Sequence, residues 1–163
     1  MSKSPEQQIA DLRAVLEVAN SISTELDLDS LLKRLITAAT RVMDADRSSL
    51  FVYDQETHEL WIKIAEGMGE REIRLPVNRK SIAGTVAQTK QLLNIPDAYE
   101  SELFNPDVDK KTGYKTTSIL TCPLLNYRNE IVGVIQVLNK TAGEAFTQYD
   151  EKLLATLSSS AAL

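Results

Sequence analysis

Two pairs of strand-like segments, each joined by a very short connection, most constrain what this chain can fold into. The pairs are 48–53 with 60–65 and 117–125 with 131–138. These segments are rich in β-branched, aromatic and other apolar residues, and polar connections separate their members. Such a short connection returns the second strand antiparallel to the first. The sequence therefore predicts hairpins within an antiparallel sheet.

Helical patterns flank these strands at both ends of the chain. The first helix starts at Pro5, and its apolar residues form a narrow stripe at Ile9, Leu12, Val15, Leu16, Ala19 and Ile22. A narrow stripe on a polar helix favours packing against a partner helix and, equally, packing on its own domain. A wider apolar face over 31–43 predicts a core helix. A last helix is predicted from Thr147, with Asp150 completing a capping box.

The segments between these elements complete an α+β order. We expect a short edge strand over 72–76, a short helix over 81–89 and an extended segment over 91–95. The stretch 98–116 is polar and shows no clear periodicity. Helices that enclose a mostly antiparallel meander favour a fold in which helices pack on a sheet.

Length and composition exclude several classes of protein. The chain has 163 residues, which suits a single domain, and its formal net charge is -5. An acidic chain without a Lys/Arg block is a poor candidate for binding nucleic acid or a membrane surface. One Cys and one His exclude an internal disulfide and a zinc site built from these residues. We expect a cytoplasmic domain, since no segment has the pattern of a membrane span or signal peptide and a single Cys suits a reducing compartment. We also expect no metal and no cofactor.

The patterns of common catalytic sites are missing from the sequence. It contains no glycine-rich phosphate loop and no Gly-x-Ser-x-Gly turn. His58 lies in the connection between two strands, where a solvated turn residue is expected. Cys122 stands in an apolar strand directly before Pro123, which favours a buried and unreactive thiol. We therefore predict no catalytic residues.

The start of the helix over 81–89 has the features of an anion site. Two cationic residues precede Ser81, and the first turn contains no acidic residue. Free N–H groups without a competing carboxylate attract anions, and the small residues Ala83 and Gly84 would permit a close approach. The alternative is an ordinary surface helix capped by Ser81.

Two further features suit a small-molecule site. Gln136 shares a face of its apolar strand with Val132, Val134 and Leu138, so its amide needs a polar partner. That partner is either the polar edge of a ligand or the backbone of a loop. The long polar segment 105–118 is typical of a binding loop or lid, and equally of a solvated connection.

A signature near the end of the chain resembles that of the GAF domain family. It reads Asn139-Lys140, then Phe146, then Asp150-Glu151. The segments 81–84, 94–99 and 112–116 also look like their counterparts in the family. The resemblance covers about 26–157 and is to the cyclic-nucleotide-binding kind found in phosphodiesterases and cyanobacterial adenylyl cyclases. It implies that a Lys140–Asp150 pair ties the last helix to the sheet without touching the ligand.

The resemblance also implies a fold and a set of ligand contacts. The fold has about six strands, with the N- and C-terminal helices on one face and a pocket under short helices and a loop on the other. The implied contacts are Ser49 facing the purine, Ile82 and Ala83 at the cyclic phosphate, Asp109, Thr112 and Thr116 in the loop, and Gln136. Ala65 and Glu66 match the positions where some relatives place a stacking aromatic residue and an acid that reads the base. An alanine provides no aromatic stacking.

The function implied is that of a non-catalytic regulatory sensor within a larger signalling protein. It would bind a cyclic nucleotide, cAMP in preference to cGMP, and pass the signal through its end helices to an output domain. Residues 1–25 would form a connector and dimerisation helix, and 26–163 the GAF domain. The alternative is a GAF domain that acts only in dimerisation. A methionine sulfoxide reductase or a bilin-binding domain is disfavoured, because the only cysteine is Cys122.

Overall fold

A computed structural model describes residues 3–24, 28–66 and 73–160, although the side chains of 17–24, 28, 29, 108, 112 and 160 fall outside this description. The described helices are α1 (Pro5–Thr24), α2 (Leu28–Val42), α3 (Ile82–Thr89), α4 (Asp107–Thr112) and α5 (Gln148–Ser160), with a 3-10 turn at Ala98–Glu100. The described strands are β1 (Ala45–Asp54), β2 (Glu59–Ala65), β3 (Arg74–Pro76), β4 (Leu93–Ile95), β5 (Ile119–Leu125) and β6 (Ile131–Lys140).

The six strands form one antiparallel sheet in the order β3-β2-β1-β6-β5-β4. Both predicted hairpins are present as β1–β2 and β5–β6. The long strands β1 and β6 lie at the centre, and the short β3 and β4 lie at the edges. The edge strand predicted over 72–76 is described only from Arg74, since residue 72 lies outside the described residues. This arrangement confirms the predicted fold class.

The helices divide between the two faces of the sheet, as the resemblance implied. The α2 helix packs on β1, α5 packs on β5, and α1 contacts both of these helices. The predicted apolar face of α2 is core, since Leu35, Ile36, Ala39, Val42 and Met43 are all buried there. On the opposite face, α3 packs against β5 and β6.

The predicted start of α5 is confirmed in detail. The Thr147 hydroxyl accepts a hydrogen bond from the Asp150 N–H at 3.1 Å, and the Asp150 carboxylate accepts one from the Thr147 N–H at 2.8 Å. Lys140, the last residue of β6, also donates its ammonium to Asp150. One carboxylate therefore both caps the helix and attaches it to the sheet, and Asp150 is fully buried.

The other signature residues also join separate elements. Phe146 is buried in the core between the sheet and α5. The Asn94 amide of β4 donates to the Phe146 carbonyl at 2.8 Å and to the Glu151 carboxylate at 2.9 Å. Asn139 adopts a φ of 57°, a left-handed conformation that asparagine tolerates.

The stretch 98–116 differs from the sequence-based expectation. It contains the 3-10 turn and the six-residue helix α4, although its polar sequence shows no helical periodicity. A helix this short is marginal on its own and depends on its tertiary contacts. The segment 105–118, expected to be a loop, is therefore partly helical.

His58 and Cys122 lie where the sequence placed them. His58 is exposed in the β1–β2 turn, and its Nδ1 lies 2.9 Å from the Tyr53 hydroxyl. Cys122 is buried, and this burial raises the pKa of its thiol. A protonated thiol in the core is a weak nucleophile.

The apolar stripe of α1 is largely uncovered. Ile9, Leu12 and Leu16 are each more than half exposed, whereas Ala14 and Val15 pack into the core. The stripe positions Ala19 and Ile22 have side chains outside the described ones. None of the helices in the described part of the chain is both long and apolar enough to cross a membrane.

Candidate functional site

A cavity of about 180 Å³ lies on the α3 side of the sheet. Its wall brings together six of the residues predicted as ligand contacts, namely Ser49, Ile82, Ala83, Asp109, Thr116 and Gln136. Much of the remaining lining is apolar and includes Phe51, Ile62, Leu75, Leu103, Phe104 and Leu138. A cavity with an apolar wall and a few polar groups is the usual form of a small-molecule site.

The start of α3 lies at this cavity wall, which Ser81, Ile82 and Ala83 line. Ser81 caps the helix, and its hydroxyl accepts a hydrogen bond from the Gly84 N–H at 2.9 Å. The N–H groups of Ile82 and Ala83 meet no hydrogen-bond acceptor within the described ranges. The helix start therefore retains two donors beside the cavity, and its first turn carries no acidic residue.

The role expected for Gly84 needs correction. A Cβ atom at this position would lie 2.6 Å from the Asn78 carbonyl oxygen and 2.7 Å from the Pro76 carbonyl oxygen. The missing side chain thus lets α3 pack against the chain's own backbone. It does not open a path to the free amides.

A row of paired residues crosses the sheet beneath the cavity. Ser49 of β1 pairs with Gln136 of β6, and Gln136 pairs with Thr121 of β5. The Gln136 amide oxygen lies 3.5 Å from the Thr121 hydroxyl, which is a weak contact. Gln136 therefore retains hydrogen-bonding capacity at the cavity wall.

Arg47 is a cavity residue that the sequence reasoning missed. It precedes Ser49 by two positions on β1, so it shares a face with Ser49 and Phe51. Its guanidinium stacks over the Tyr114 ring at 3.7 Å from the ring centroid. Strand alternation from Ser49 was the signal that could have revealed it.

A bulge in the β1–β2 pairing decides the positions of Ala65 and Glu66. The register shifts between Leu50 and Phe51, so Ile62 packs on the α3 side and Ile64 on the opposite side. Ala65 pairs with Ser49 but does not line the cavity. Its neighbour on the same strand, Ile62, does line the cavity.

The Glu66 carboxylate is bonded to residues of β1 and α2. Its carboxylate accepts a hydrogen bond from the Ser48 N–H at 2.9 Å and another from the Thr40 hydroxyl of α2. Glu66 therefore connects the end of β2 to β1 and to α2. It is not among the residues that line the cavity, and its contact with a base stays a prediction.

A buried carboxylate connects the parts of the segment 98–116, which we call the cover of the cavity because several of its residues line it. Asp109 of α4 accepts hydrogen bonds from the Thr116 N–H at 2.7 Å, the Thr116 hydroxyl at 2.8 Å and the Tyr99 hydroxyl at 2.7 Å. Three of the roughly four acceptor positions of a carboxylate are thus occupied within the protein. Asp109 and Thr116 both line the cavity and hydrogen-bond to each other, and their contact with a ligand stays a prediction.

A second set of contacts fixes the other end of the cover. The Tyr114 hydroxyl donates to Asp46 at 2.6 Å and accepts from the Asn139 amide at 2.8 Å. Burial, together with the bond to Asp46, raises the pKa of Tyr114, so the phenol remains a donor at neutral pH. The Asn139 amide oxygen also accepts from the Thr117 N–H at 2.6 Å. The family signature thus supports the cover through Asn139.

Two further predictions concern Thr112 and metals. Thr112 is the last residue of α4, and its side chain lies outside the described ones. Among the described residues, no cluster of His, Cys, Asp and Glu side chains has the arrangement of a metal site.

Comparisons with known sequences identify relatives of this chain. It is 38% identical over 151 residues to a dual 3',5'-cyclic-AMP and -GMP phosphodiesterase 11A of Takifugu rubripes. The matched region covers 85% of this chain and 17% of that protein. It is 36% identical over 152 residues to a cGMP-specific 3',5'-cyclic phosphodiesterase of Drosophila pseudoobscura pseudoobscura, covering 85% of this chain and 14% of that protein. The chain thus spans less than a fifth of the length of these two relatives.

Solved structures share the fold. The GAF domain of an Acinetobacter phosphoenolpyruvate-protein phosphotransferase superposes with a TM-score of 0.77 at 21% identity, over 98% of this chain and 90% of that one. The sequence profile of the GAF domain matches residues 27–163. On this profile match, together with the shared fold, the chain belongs to the GAF domain family.

Proposed function

We propose that this domain is a regulatory sensor that binds one cyclic nucleotide and has no catalytic activity of its own. The observation that carries the proposal is the pair of backbone donors at Ile82 and Ala83, which have no acceptor within the described ranges and belong to residues of the cavity wall. An anionic phosphodiester is a suitable acceptor for such donors at a helix start. The names of the relatives, which are cyclic-nucleotide phosphodiesterases, agree with this ligand class.

The rest of the cavity suits the other parts of the ligand. A flat base requires apolar walls, which Phe51, Leu75 and Phe104 provide. The hydroxyl of Ser49 and the amide of Gln136 offer donors and acceptors to the polar edge of a base or to a ribose. Arg47 adds a cationic donor to the wall that can contact an anionic group, although its Nε also lies 3.8 Å from the Asp46 carboxylate and Asp109 adds a carboxylate to the same wall.

We predict that saturating cyclic nucleotide stabilises the purified domain. At about 100 times its Kd a ligand adds roughly 2.7 kcal/mol to the free energy of unfolding. For a domain of this size, where 1 kcal/mol shifts Tm by about 2–4 °C, this corresponds to a rise in Tm of about 5–11 °C, measured by calorimetry. The absence of any shift with either cAMP or cGMP would favour the alternative, a GAF domain that acts only in dimerisation.

The choice of base is a separate prediction. The resemblance to adenylyl cyclases implies a preference for cAMP, whereas the relatives named above include a cGMP-specific and a dual enzyme. Isothermal titration of one preparation with both nucleotides measures the preference as a ratio of Kd values. A lower Kd for cGMP would contradict the preference for cAMP and leave the proposed ligand class intact.

We predict that Thr116→Ala weakens binding and preserves the fold. The substitution removes the hydroxyl that donates to Asp109, whereas the Thr116 N–H continues to hold the same carboxylate. The loss of one hydrogen bond costs about 1 kcal/mol, or roughly a fivefold rise in Kd by titration. The control is Thr141→Ala, an exposed site after β6. Equal Kd values for the two variants would contradict a role for Thr116.

We further propose that residues 1–25 form the connector and dimerisation helix and 26–163 the sensor domain. The exposed stripe of Ile9, Leu12 and Leu16 supports pairing with a second copy of the domain. A ligand alters signalling only if it binds two arrangements of the end helices with different affinities. A dimer would provide such arrangements.

We predict that Leu12→Glu dissociates this dimer. The substitution places a charge in the centre of the stripe, where Leu12 is 54% exposed, so its effect on folding should be small. Sedimentation velocity at several concentrations should show a monomer for the variant and a dimer for the unaltered chain. Tyr127→Glu at the β5–β6 turn is the matched control, since Tyr127 is 81% exposed and lies far from α1 in the sequence. If Leu12→Glu leaves the dimer intact, the stripe is not the interface.

A further inference from the structure

We propose that Tyr99 is a positioning residue of the ligand site, acting from behind the cavity wall on two residues that line it. Its hydroxyl donates to Asp109 at 2.7 Å, and its ring meets the Phe104 ring edge-on with centroids 5.1 Å apart. Asp109 and Phe104 both line the cavity, whereas Tyr99 does not. The proposal rests on the proposed function of the cavity and names a residue that controls its shape.

Tyr99 is itself held in place by the backbone around it. The Asp97 carboxylate accepts a hydrogen bond from the Tyr99 N–H at 3.1 Å and so caps the 3-10 turn. The Ala98 N–H donates to the Thr117 carbonyl at 2.7 Å, which attaches the turn to the segment that enters β5. Tyr99 therefore joins the 3-10 turn to Asp109 of α4.

The hydrogen bond from the Tyr99 hydroxyl helps to fix the position of the Asp109 carboxylate. Asp109 is only 7% exposed, and a buried carboxylate needs donors to remain in place. Thr116 supplies two donors from the segment after α4, and Tyr99 supplies the third from the segment before it. Without Tyr99 the carboxylate is held from one side only, and α4 loses its bond to the 3-10 turn.

The chemistry of Tyr99 suits this role at physiological pH. The hydrogen bond to Asp109 raises the pKa of the phenol, which therefore stays protonated and continues to donate. About half of the residue is exposed, although its hydroxyl reaches a buried partner. Phenylalanine at this position would keep the ring contact with Phe104 and remove only the donor.

The test uses Tyr99→Phe and Tyr99→Leu, with Tyr127→Phe as the control. Stopped-flow kinetics with a fluorescent cyclic nucleotide measure the dissociation rate constant, and hydrogen exchange measures the protection of residues 107–116 without ligand. For Tyr99→Phe we expect dissociation to be about fivefold faster and protection lower by a similar factor. Tyr99→Leu, which also removes the ring, should have a larger effect on both, and Tyr127→Phe should have none.

The possible failures can be distinguished. If the unaltered chain binds nucleotide and Tyr99→Phe changes neither dissociation nor exchange by more than twofold, the role of Tyr99 is overturned and the proposed function stands. If the unaltered chain binds neither cAMP nor cGMP, the proposed function fails and the role of Tyr99 fails with it. The exchange measurement needs no ligand, so it is independent of the proposed function. Because it reports protection for each segment, it also distinguishes a change in residues 107–116 from a general loss of stability, which would lower protection in α2 and α5 as well.

Discussion

Replacing Lys140 with methionine is expected to lower the free energy of unfolding by about 3–5 kcal/mol. The Lys140 ammonium pairs with the fully buried Asp150, and the Lys140 side chain itself is only 9% exposed. Removing one partner of a buried pair leaves the other as an uncompensated charge in the core. Urea denaturation monitored by circular dichroism measures the loss.

Two further variants isolate the contribution of the pair. Lys152→Met changes an exposed lysine of α5 and should cost less than about 0.5 kcal/mol. The double variant Lys140→Met with Asp150→Asn removes both charges and retains an acceptor for the Thr147 N–H, so it should recover part of the loss. If Lys140→Met were no less stable than Lys152→Met, the pair would not hold α5 to the sheet.

Gly84→Ala is expected to destabilise the domain, although Gly→Ala normally favours a helix. The usual gain is about 1 kcal/mol. Here the new methyl group would lie within 2.7 Å of two carbonyl oxygens, those of Pro76 and Asn78, which belong to the backbone and have little freedom to move. Overpacking typically costs about 1–3 kcal/mol, and two backbone contacts this short place Gly84 at the upper end, so after subtraction of the usual gain we expect a net loss of up to about 2 kcal/mol by urea denaturation.

The same substitution should also weaken ligand binding, since the clash would displace the helix start that carries the free N–H groups. Gln88→Ala, at an exposed site of the same helix, is the control and should be neutral or slightly stabilising. A Gly84→Ala protein as stable as the unaltered chain would show that α3 can move away from the 76–78 segment without cost.

The main elements of the fold could be predicted from the sequence, because their local sequence patterns agree with the tertiary contacts that they make. The short connections predicted both hairpins, and the Thr147–Asp150 capping box marked the start of α5 within one residue. The buried row of α2 followed from spacing alone. These features depend on neighbours along the chain, which a sequence displays directly.

The details that escaped prediction depend on contacts between distant residues. The α4 helix is too short to show a period, and its Asp109 is fixed by Tyr99 and Thr116. Glu66 was expected near the ligand, but the bulge between β1 and β2 carries the end of β2 toward α2. No spacing rule in the sequence reveals a bulge of this kind.

Strand β6 connects the cavity to the first turn of α5 over a short distance. Gln136 lines the cavity and Lys140 holds Asp150, and four residues of strand span only about 13 Å. Because β1 and β5 bond to β6 along both edges, the strand cannot bend by itself. The same hydrogen bonds oppose sliding of β6 along its axis, so the cavity wall at Gln136 and the start of α5 keep a fixed separation and can shift only together with the neighbouring strands.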